Sequence, residues 1–279
     1  MTDGSCELTK GLCFMGKFDG VLFCTDLDGT LLRRDQTVSR ENREAIAYFQ
    51  QNGGLFTFIT GRMPIFAKPI CEAVHPNAPF GCVNGGGLFD PCAGKYVWQQ
   101  ELTKDVMPLI SYIDEKVPRI GIQLNTFEET YLCRDHAEMR IFEEIAGRAF
   151  PTTHYTAIDE PFAKVLFAGE VEDVLKTQAL LSDHPLSEKF DFIRSDTMFY
   201  EILPKGLSKG SVLRELQNRL PVRPTKTIVI GDYYNDLSMF AVADVSVAVG
   251  NACDAAKEAA TFVTVSNEEH AIARVIYDL

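Results

Sequence analysis

The feature that most constrains how this chain can fold is a short apolar run, VLFC at residues 21–24, followed by Thr25, two aspartates one residue apart, and a glycine. Such a run is typical of a strand buried on both faces. Ligands of open α/β sheets bind at the carboxyl edge of the strands, which is where Asp26 and Asp28 would lie. If the strand geometry continued, both side chains would point the same way. Such crowding predicts a divalent cation, a raised pKa on one carboxyl, or both.

The composition limits the class of protein. The 279 residues are 46% hydrophobic, enough for one large domain or two with full cores. A formal net charge of -12 argues against nucleic acid or an anionic membrane surface as a partner, and no apolar run of about 18 residues could span a bilayer. Eight cysteines without a C-x-x-C pair indicate free thiols in a reducing compartment. We therefore expect a cytoplasmic protein, a monomer or weak homodimer, with residues 1–14 as an extension that takes no part in the chemistry.

Short apolar runs alternate with helix-forming stretches at both ends of the chain. The order is strand, helix, strand, helix, strand up to residue 83, and a similar alternation resumes after residue 206. This order predicts an α/β fold with a doubly wound parallel sheet. Between the two parts, short strands, hairpins and helices predict an inserted α+β domain. We assign residues 1–85 and 203–279 to the core domain and residues 86–202 to the inserted domain.

Polar residues follow several predicted strands at their carboxyl ends or begin the helices beside them. They are Asp26 with Asp28, Thr60-Gly61-Arg62, Lys209, and Asp232 with Asn235 and Asp236. In a parallel sheet these residues would meet at one edge. Taken singly, each has an ordinary structural role as a turn, a solvated lysine or, for Arg62, a salt-bridge partner. Their joint occurrence at equivalent strand ends predicts a site.

Four segments resemble, in order, the motifs of the haloacid dehalogenase-like hydrolases, and most closely those of the Cof-like phosphatases. They are Asp-Leu-Asp-Gly-Thr-Leu, Ile-Thr-Gly-Arg, Pro-Lys-Gly-Leu-Ser-Lys-Gly and Gly-Asp-Tyr-Tyr-Asn-Asp-Leu-Ser-Met. The similarity extends from about Val21 to the C-terminus. It implies a Rossmann-like core with an inserted cap. Because the interval between Asp26 and Thr60 is short and that between Arg62 and Lys209 is long, the cap would be of the C2 type (IIB).

The resemblance also implies a reaction. Asp26 would attack phosphorus to form an aspartyl-phosphate, and Asp28 would protonate the leaving oxygen and later take a proton from water. Thr60 would donate a hydrogen bond to a phosphoryl oxygen. Lys209 would place a positive charge on the same oxygens, because phosphoryl transfer is promoted mainly by stabilising developing charge.

Magnesium is the cofactor that the resemblance implies. Its ligands would be the carboxylates of Asp26 and Asp232 and the backbone carbonyl of Asp28, with Asp236 at the metal, its waters or Lys209. The substrate would be a small phosphorylated metabolite, sugar phosphates included. Its contacts in the core would be Gly61, Arg62, Asn84 and Asn235. Candidates for leaving-group contacts in the cap are residues near Asn125, Glu128, Arg194 and Tyr200.

Two other functions stay open at this point. A phosphomannomutase-like phosphotransferase has the same type of cap and would move phosphate between sugar positions. A non-catalytic regulator would bind phosphosugars without turnover, although the complete set of catalytic carboxylates disfavours it. Asp28 argues against a dehalogenase, because a leaving halide needs no proton. The leading prediction is a magnesium-dependent phosphatase.

Overall fold

The computed structural model describes residues 16–279, and the predicted extension at residues 1–14 lies outside them. The strands, numbered in chain order, are β1 (Val21–Thr25), β2 (Leu55–Phe58), β3 (Phe80–Cys82), β4 (Gly87–Asp90), β5 (Lys95–Gln99), β6 (Gly121–Thr126), β7 (Thr130–Arg134), β8 (Phe162–Ala168), β9 (Phe190–Asp196), β10 (Phe199–Pro204), β11 (Lys226–Gly231), β12 (Val245–Ala248) and β13 (Phe262–Val263). The α-helices are α1 (Arg40–Gln51), α2 (Pro64–Val74), α3 (Met107–Lys116), α4 (Arg140–Ala146), α5 (Val171–Ser182), α6 (Lys209–Arg219), α7 (Leu237–Phe240), α8 (Asp254–Ala259) and α9 (Ala271–Asp278).

A parallel sheet with the strand order β13-β12-β11-β1-β2 forms around the apolar run of β1. From β1 the chain proceeds to β2 on one side, while β11, β12 and β13 lie on the other. Right-handed crossovers then place the connecting helices on opposite faces, where α1 packs against α9 and α6 against α7. The predicted doubly wound α/β core is therefore confirmed, and β1 lies where the direction of strand addition reverses. Ligands of such sheets bind at this point.

The strand β3 departs from the predicted parallel pattern. It joins this sheet through a parallel bridge between Ile59 and Gly81, but it forms its ladder with β4 in an antiparallel sheet of order β3-β4-β5. The cause is a tight reversal at Val83, Asn84 and Gly85, which all have positive φ. The predicted domain boundary at residue 86 runs through this small sheet, and the domain ranges stay a prediction.

A second sheet, of order β7-β6-β8-β10-β9, is antiparallel throughout. Successive side chains along each strand point to opposite faces of this sheet and so lie in two different environments. One face packs with the helices α3 and α5 in a separate apolar core that includes Ile122, Leu124, Val165, Phe167, Tyr200 and Ile202. The other face carries the intervening side chains, which are mostly polar: Gln123, Asn125, Lys164, Leu166 and Glu201.

Local sequence signals account for most helix ends. The Ser39 side chain accepts the Asn42 backbone N–H and caps α1, as its position before the helix predicts. Pro64 begins α2, where its missing N–H costs nothing. The last helix begins at Ala271, because a short turn at Asn267–Glu269 precedes it and His270 has a φ of 63°.

Two predictions from composition can be compared with the structure. Among residues 16–279, no helix is both long enough and apolar enough to cross a bilayer. The six cysteines in this part of the chain are free thiols.

Candidate active site

Asp26 lies directly after β1, between the ends of two neighbouring strands. Its backbone N–H donates to the Ile230 carbonyl at 2.9 Å, so the residue is fixed at the carboxyl edge of the sheet. Its side chain is buried and accepts a hydrogen bond from Lys209 Nζ at 2.5 Å. Lys209 is the first residue of α6, whose start is set by a Ser208–Ser211 capping box. The helix cap thus positions the ammonium group against the aspartate.

A second buried carboxylate holds Lys209 from the other side. Asp236 Oδ1 accepts from Lys209 Nζ at 2.6 Å, while Asp236 Oδ2 accepts the backbone N–H groups of Asp232 at 2.8 Å and Tyr233 at 3.0 Å. Burial alone would lower the pKa of Lys209, but the Asp236 and Asp26 carboxylates raise it above its usual value. The lysine therefore remains charged, and Asp236 fixes its direction.

Three acidic side chains converge at this strand edge. Asp26, Asp232 and Asp236 each place a carboxylate oxygen within 4.8 Å of the others. Burial raises the pKa of Asp26 well above its usual range, opposed by Lys209. Burial, with the nearby Asp236 carboxylate, raises the pKa of Asp232 to about 6. So much negative charge in a buried site is relieved by a divalent cation, and carboxylate oxygens are the ligands that magnesium prefers.

The donor set therefore suits the predicted magnesium ion. Within residues 16–279, Asp26 Oδ2 and Asp232 Oδ2 accept no hydrogen bond, whereas both oxygens of Asp236 are occupied by Lys209 and by backbone N–H groups. Asp26 and Asp232 are thus the carboxylates free to bind a metal. The ligand roles of the Asp28 carbonyl and of Asp236 stay predictions, and the contacts of Asp236 favour its other predicted role, orienting Lys209.

The turn after β1 separates the two aspartates of the first motif. Strand geometry ends at Thr25, and Leu27–Leu31 form a tight helical turn in which Gly29 has a φ of 78°. Asp26 is consequently buried, whereas half of the Asp28 side chain is exposed. The two side chains do not point the same way as they would on a continuous strand, because the period of two ends with β1.

Arg62 holds the carboxylate of Asp28. Its Nε donates to Asp28 Oδ2 at 2.9 Å and its Nη2 to Asp28 Oδ1 at 2.5 Å, a bidentate pair. The same Nη2 also donates to Gln36 Oε1. Of the two roles that the sequence allowed for Arg62, the structure places it as a salt-bridge partner, one that fixes a predicted catalytic group at the cavity.

The end of β2 brings Thr60 and Gly61 to the same edge. The Thr60 backbone N–H donates to the Gly81 carbonyl at 2.9 Å, and its buried hydroxyl accepts the Arg62 N–H at 3.1 Å. A Cβ on Gly61 would lie 2.9 Å from the Asn84 side chain, so a larger residue would displace it. Asn84 in turn accepts from Asn235 Nδ2 at 3.2 Å, which links the loops after β3 and β11.

These residues border a cavity of about 570 Å³ between the parallel sheet and the polar face of the second sheet. Seven of the predicted site residues line it: Asp26, Asp28, Gly61, Arg62, Asn84, Asp232 and Asn235. Thr60, Lys209 and Asp236 are buried. Lys209 is hydrogen-bonded to Asp26 and Asp236 to the Asp232 backbone, and both Asp26 and Asp232 line the cavity. The structure therefore brings the predicted core residues together at one site.

Of the four places expected to supply cap contacts, three lie at or beside cavity-lining residues, and the one near Glu128 does not. Asn125 itself lines the cavity, as do Ser195 and Glu201, which are the chain neighbours of Arg194 and Tyr200. Arg194, Tyr200 and Glu128 do not belong to the described lining. Glu128 borders a separate cavity of about 200 Å³, and Arg194 donates to the Thr197 carbonyl at a strand turn. Tyr200 stacks on Phe192 in the second core. Sheet pairing, which decides these directions, is not encoded in any one of the segments.

A sequence model of the haloacid dehalogenase-like hydrolases matches residues 23–276. The chain belongs to this family. Among its relatives, the putative phosphatase YxeH of Bacillus subtilis is 29% identical over 272 residues, which cover 92% of this chain and 97% of YxeH. The 5-amino-6-(5-phospho-D-ribitylamino)uracil phosphatase YwtE of the same organism is 29% identical over 281 residues, with 91% and 96% covered. The predicted enzyme class, a phosphatase of the haloacid dehalogenase-like family, is confirmed.

Solved structures agree with the fold. A haloacid dehalogenase-like hydrolase from Bacteroides thetaiotaomicron is similar with a TM-score of 0.81 and 25% identity, covering 94% of this chain and 99% of that one. A subclass IIB sugar phosphatase of the superfamily shares the fold with a TM-score of 0.80 at 19% identity, covering 92% and 98%. The predicted α/β core with an inserted cap is therefore confirmed as the haloacid dehalogenase-like fold.

Several residues of this haloacid dehalogenase-like site were not named individually from the sequence. On the cap side the cavity is also lined by Gln123, Lys164, Ser195 and Glu201. Lys164 Nζ donates to Glu201 Oε2 at 2.7 Å and to the Gly61 carbonyl at 3.0 Å, a direct bond from the cap to the core. A signal for this pair does exist, because each is the charged residue in an otherwise apolar stretch of a buried strand.

Proposed function

We propose that this phosphatase hydrolyses monoesters of small phosphorylated metabolites, sugar phosphates included, with magnesium and through an aspartyl-phosphate at Asp26. The observation that carries the proposal is the position of Asp26: a buried carboxylate at the reversal point of the sheet, 2.5 Å from Lys209 Nζ and facing the cavity. A phosphoryl group bound there would meet a nucleophile and a fixed positive charge together.

Asp26 acts as the nucleophile. Its Oδ2 attacks phosphorus while Oδ1 stays bonded to Lys209, which keeps the attacking carboxylate in one orientation. During the attack, the second lone pair of Oδ1 is the one that would bind the metal. Burial raises the pKa of this aspartate, so the site needs positive charge to keep it ionised. Held by Asp26 and Asp232, a magnesium ion would supply that charge and would draw electron density from the phosphoryl oxygens.

Asp28 transfers the protons. Its half-exposed side chain lines the cavity, where it can reach the ester oxygen of a substrate whose phosphoryl group contacts Asp26. The bidentate bond to Arg62 keeps the carboxyl group aimed at the cavity. Asp28 first protonates the leaving oxygen and then removes a proton from the water that hydrolyses the aspartyl-phosphate.

The loops around Asp26 bind the remaining phosphoryl oxygens. The buried Thr60 hydroxyl accepts the Arg62 N–H and keeps its own hydrogen available for an oxygen of the substrate. Gly61 presents backbone without a side chain beside it, and the Asn84–Asn235 bond fixes the opposite rim. This arrangement lets an acidic protein hold an anion by local charge.

Support for a sugar phosphate or a similar metabolite comes from both the cavity and the relatives. The cavity of about 570 Å³ is large enough for a small metabolite. One relative is named for a ribityl phosphate substrate and one structural neighbour as a sugar phosphatase. We further propose that the enzyme works in the cytoplasm as a monomer or weak homodimer, without nucleic acid or membrane as a partner.

Phosphate release from p-nitrophenyl phosphate and from a panel of sugar phosphates tests this function. We expect release with Mg²⁺, its loss with excess chelator, and a fall of at least about 10³-fold in kcat for Asp26→Asn. Full activity of Asp26→Asn would contradict the mechanism. Interconversion of sugar phosphate isomers without phosphate release would instead indicate a phosphotransferase, and binding without either reaction would indicate a regulator.

A further inference from the structure

The polar face of the cap sheet carries two adjacent amide side chains on β6. Gln123 and Asn125 lie two residues apart and therefore on the same face of the strand. Both line the cavity, and both are at least 99% buried. The residues between and beside them, Ile122 and Leu124, point into the opposite apolar core. A buried amide normally has a partner for each of its hydrogen-bonding groups, so the partners of these two amides are compared with that expectation.

The count leaves one donor and one acceptor free. Gln123 Nε2 donates to Asn125 Oδ1 at 3.2 Å, and the Thr130 hydroxyl donates to the same oxygen at 3.0 Å. Within residues 16–279, Asn125 Nδ2 and Gln123 Oε1 have no hydrogen-bond partner. Exchanging oxygen and nitrogen on both amides reverses the bond between them but again leaves one donor and one acceptor free. The free donor and the free acceptor are therefore present whichever way the two amides are oriented.

We propose that Gln123 and Asn125 form a subsite for hydroxyl groups of the leaving group, and that this leaving group is polyhydroxylated and carries no anionic group. A hydroxyl is the common group that can accept one hydrogen bond and donate another. A hydroxyl could therefore pair with the free amide nitrogen or with the free amide oxygen. A substrate without a hydroxyl at this position would leave both amide groups buried and unpaired, which is the situation in which enzymes discriminate most strongly.

The charges around the cavity disfavour an anionic group on the leaving group. The cap-side cation, Lys164, is paired with Glu201 at 2.7 Å, and the core-side cation, Arg62, with Asp28. The other charged side chains lining the cavity are carboxylates: Asp26, Asp196 and Asp232. Lys209, together with a magnesium ion held by Asp26 and Asp232, would act on the phosphoryl group that is cleaved. A second anionic group on the substrate would therefore meet carboxylates without a free cation from the described lining.

This inference rests on the proposed function, and the test uses the full-length enzyme with Mg²⁺. From sugar and polyol phosphates of three to six carbons, the best neutral substrate is selected. It is compared with two esters of equal chain length, an alkyl phosphate without hydroxyls and a sugar-acid phosphate with one carboxylate. We expect kcat/KM of the neutral polyol ester to exceed both by at least about tenfold. Equal or greater kcat/KM for either comparison ester would overturn the inference, and this outcome requires no variant.

Gln123→Met and Asn125→Leu keep side-chain volume and remove the amide groups. We expect each to lower kcat/KM for the polyol ester by about 10–100-fold and that for the alkyl ester by less than about threefold. Retained alkyl ester hydrolysis shows that the variants fold. Gln178→Met, at a half-buried position of α5 and outside the cavity lining, is the matched control. Equal losses on both esters would indicate a structural role and overturn the inference.

No hydrolysis of any ester by the unmodified enzyme, p-nitrophenyl phosphate included, would overturn the proposed function and this inference with it.

Discussion

Lys209 is the residue on which the charge balance of the site depends. Its ammonium lies between the buried carboxylates of Asp26 and Asp236, at 2.5 and 2.6 Å. Removing one member of a buried ionic group leaves the others without compensation, and this costs far more than an exposed ion pair contributes. The same lysine therefore serves the folded state and the chemistry. Both roles can be measured on one variant.

The variant Lys209→Met should lose both activity and stability. We expect kcat to fall by about 10²–10³-fold, because a fixed charge beside the phosphoryl group is lost, and the free energy of unfolding in urea at neutral pH to fall by about 3–5 kcal/mol. Lys205→Met is the control, since Lys205 forms a largely exposed pair with Asp191 and should change stability by no more than about 1 kcal/mol. Similar stability of both variants would contradict the assigned role.

The turn Leu27–Leu31 is the element that converts the first motif into a site. It is closed by the Leu32 N–H donating to the Leu27 carbonyl at 2.8 Å, and Asn251 Nδ2 donates to the Gly29 carbonyl at 2.8 Å. Gly29 adopts a φ of 78°, and a Cβ there would lie 2.5 Å from Asp232 Oδ2. The glycine thus allows the left-handed turn and leaves room for the carboxylate proposed to bind the metal.

The substitution Gly29→Ala should weaken magnesium binding more than a backbone effect alone can explain. Gly94→Ala is a matched control, because Gly94 also has a positive φ of 63° but no other described atom within 4 Å of an added Cβ. We expect Gly94→Ala to lower the free energy of unfolding by about 1–2 kcal/mol. Gly29→Ala should lower it by about 1–3 kcal/mol more. Calorimetric titration should show a Mg²⁺ affinity at least about tenfold lower for Gly29→Ala only. Equal Mg²⁺ affinities of the two variants would argue against Asp232 as a metal ligand.

At the scale of the whole molecule, two apolar cores face one cavity from opposite sides. The larger core surrounds the parallel sheet, and the smaller one packs behind the cap sheet. Direct polar contacts between the two sides are made by Lys164 with the Gly61 carbonyl and by Asn84 with Glu201. The buried acidic site between them raises the free energy of the folded state without metal. Magnesium binding and folding should therefore be linked.

The linkage predicts a definite pH dependence. The pKa of Asp232 is raised from 3.8 to about 6 in the folded protein, so the folded state binds this proton more tightly than the unfolded chain. The contribution of Asp232 to stability without metal is therefore greatest below its unfolded pKa and is lost as pH rises through about 6. Because Mg²⁺ competes with this proton, the gain in Tm from Mg²⁺ over chelator should grow by several degrees between about pH 5 and pH 8. A gain independent of pH, or equal growth in Asp232→Asn, would contradict this explanation.

Much of the fold and of the core site was predictable from local patterns. The buried strand before Asp26, the cap at Ser39 and the order of strands and helices are properties of short segments, and the structure has them where expected. Asp26, Lys209 and Asp232 follow strands or begin helices of a parallel sheet, whose carboxyl ends necessarily meet. Their convergence therefore follows once the α/β alternation is recognised.

What only the tertiary structure decided was the direction and pairing of side chains. Sequence by itself determined that carboxylates and a lysine gather at one sheet edge, since strand order and motif position are encoded locally. It could not determine that Asp28 turns away to Arg62, or that Gln123 and Asn125 face the cavity while Tyr200 enters the core. Those outcomes depend on where a strand ends and on which neighbours it pairs with, and the neighbours lie far apart along the chain.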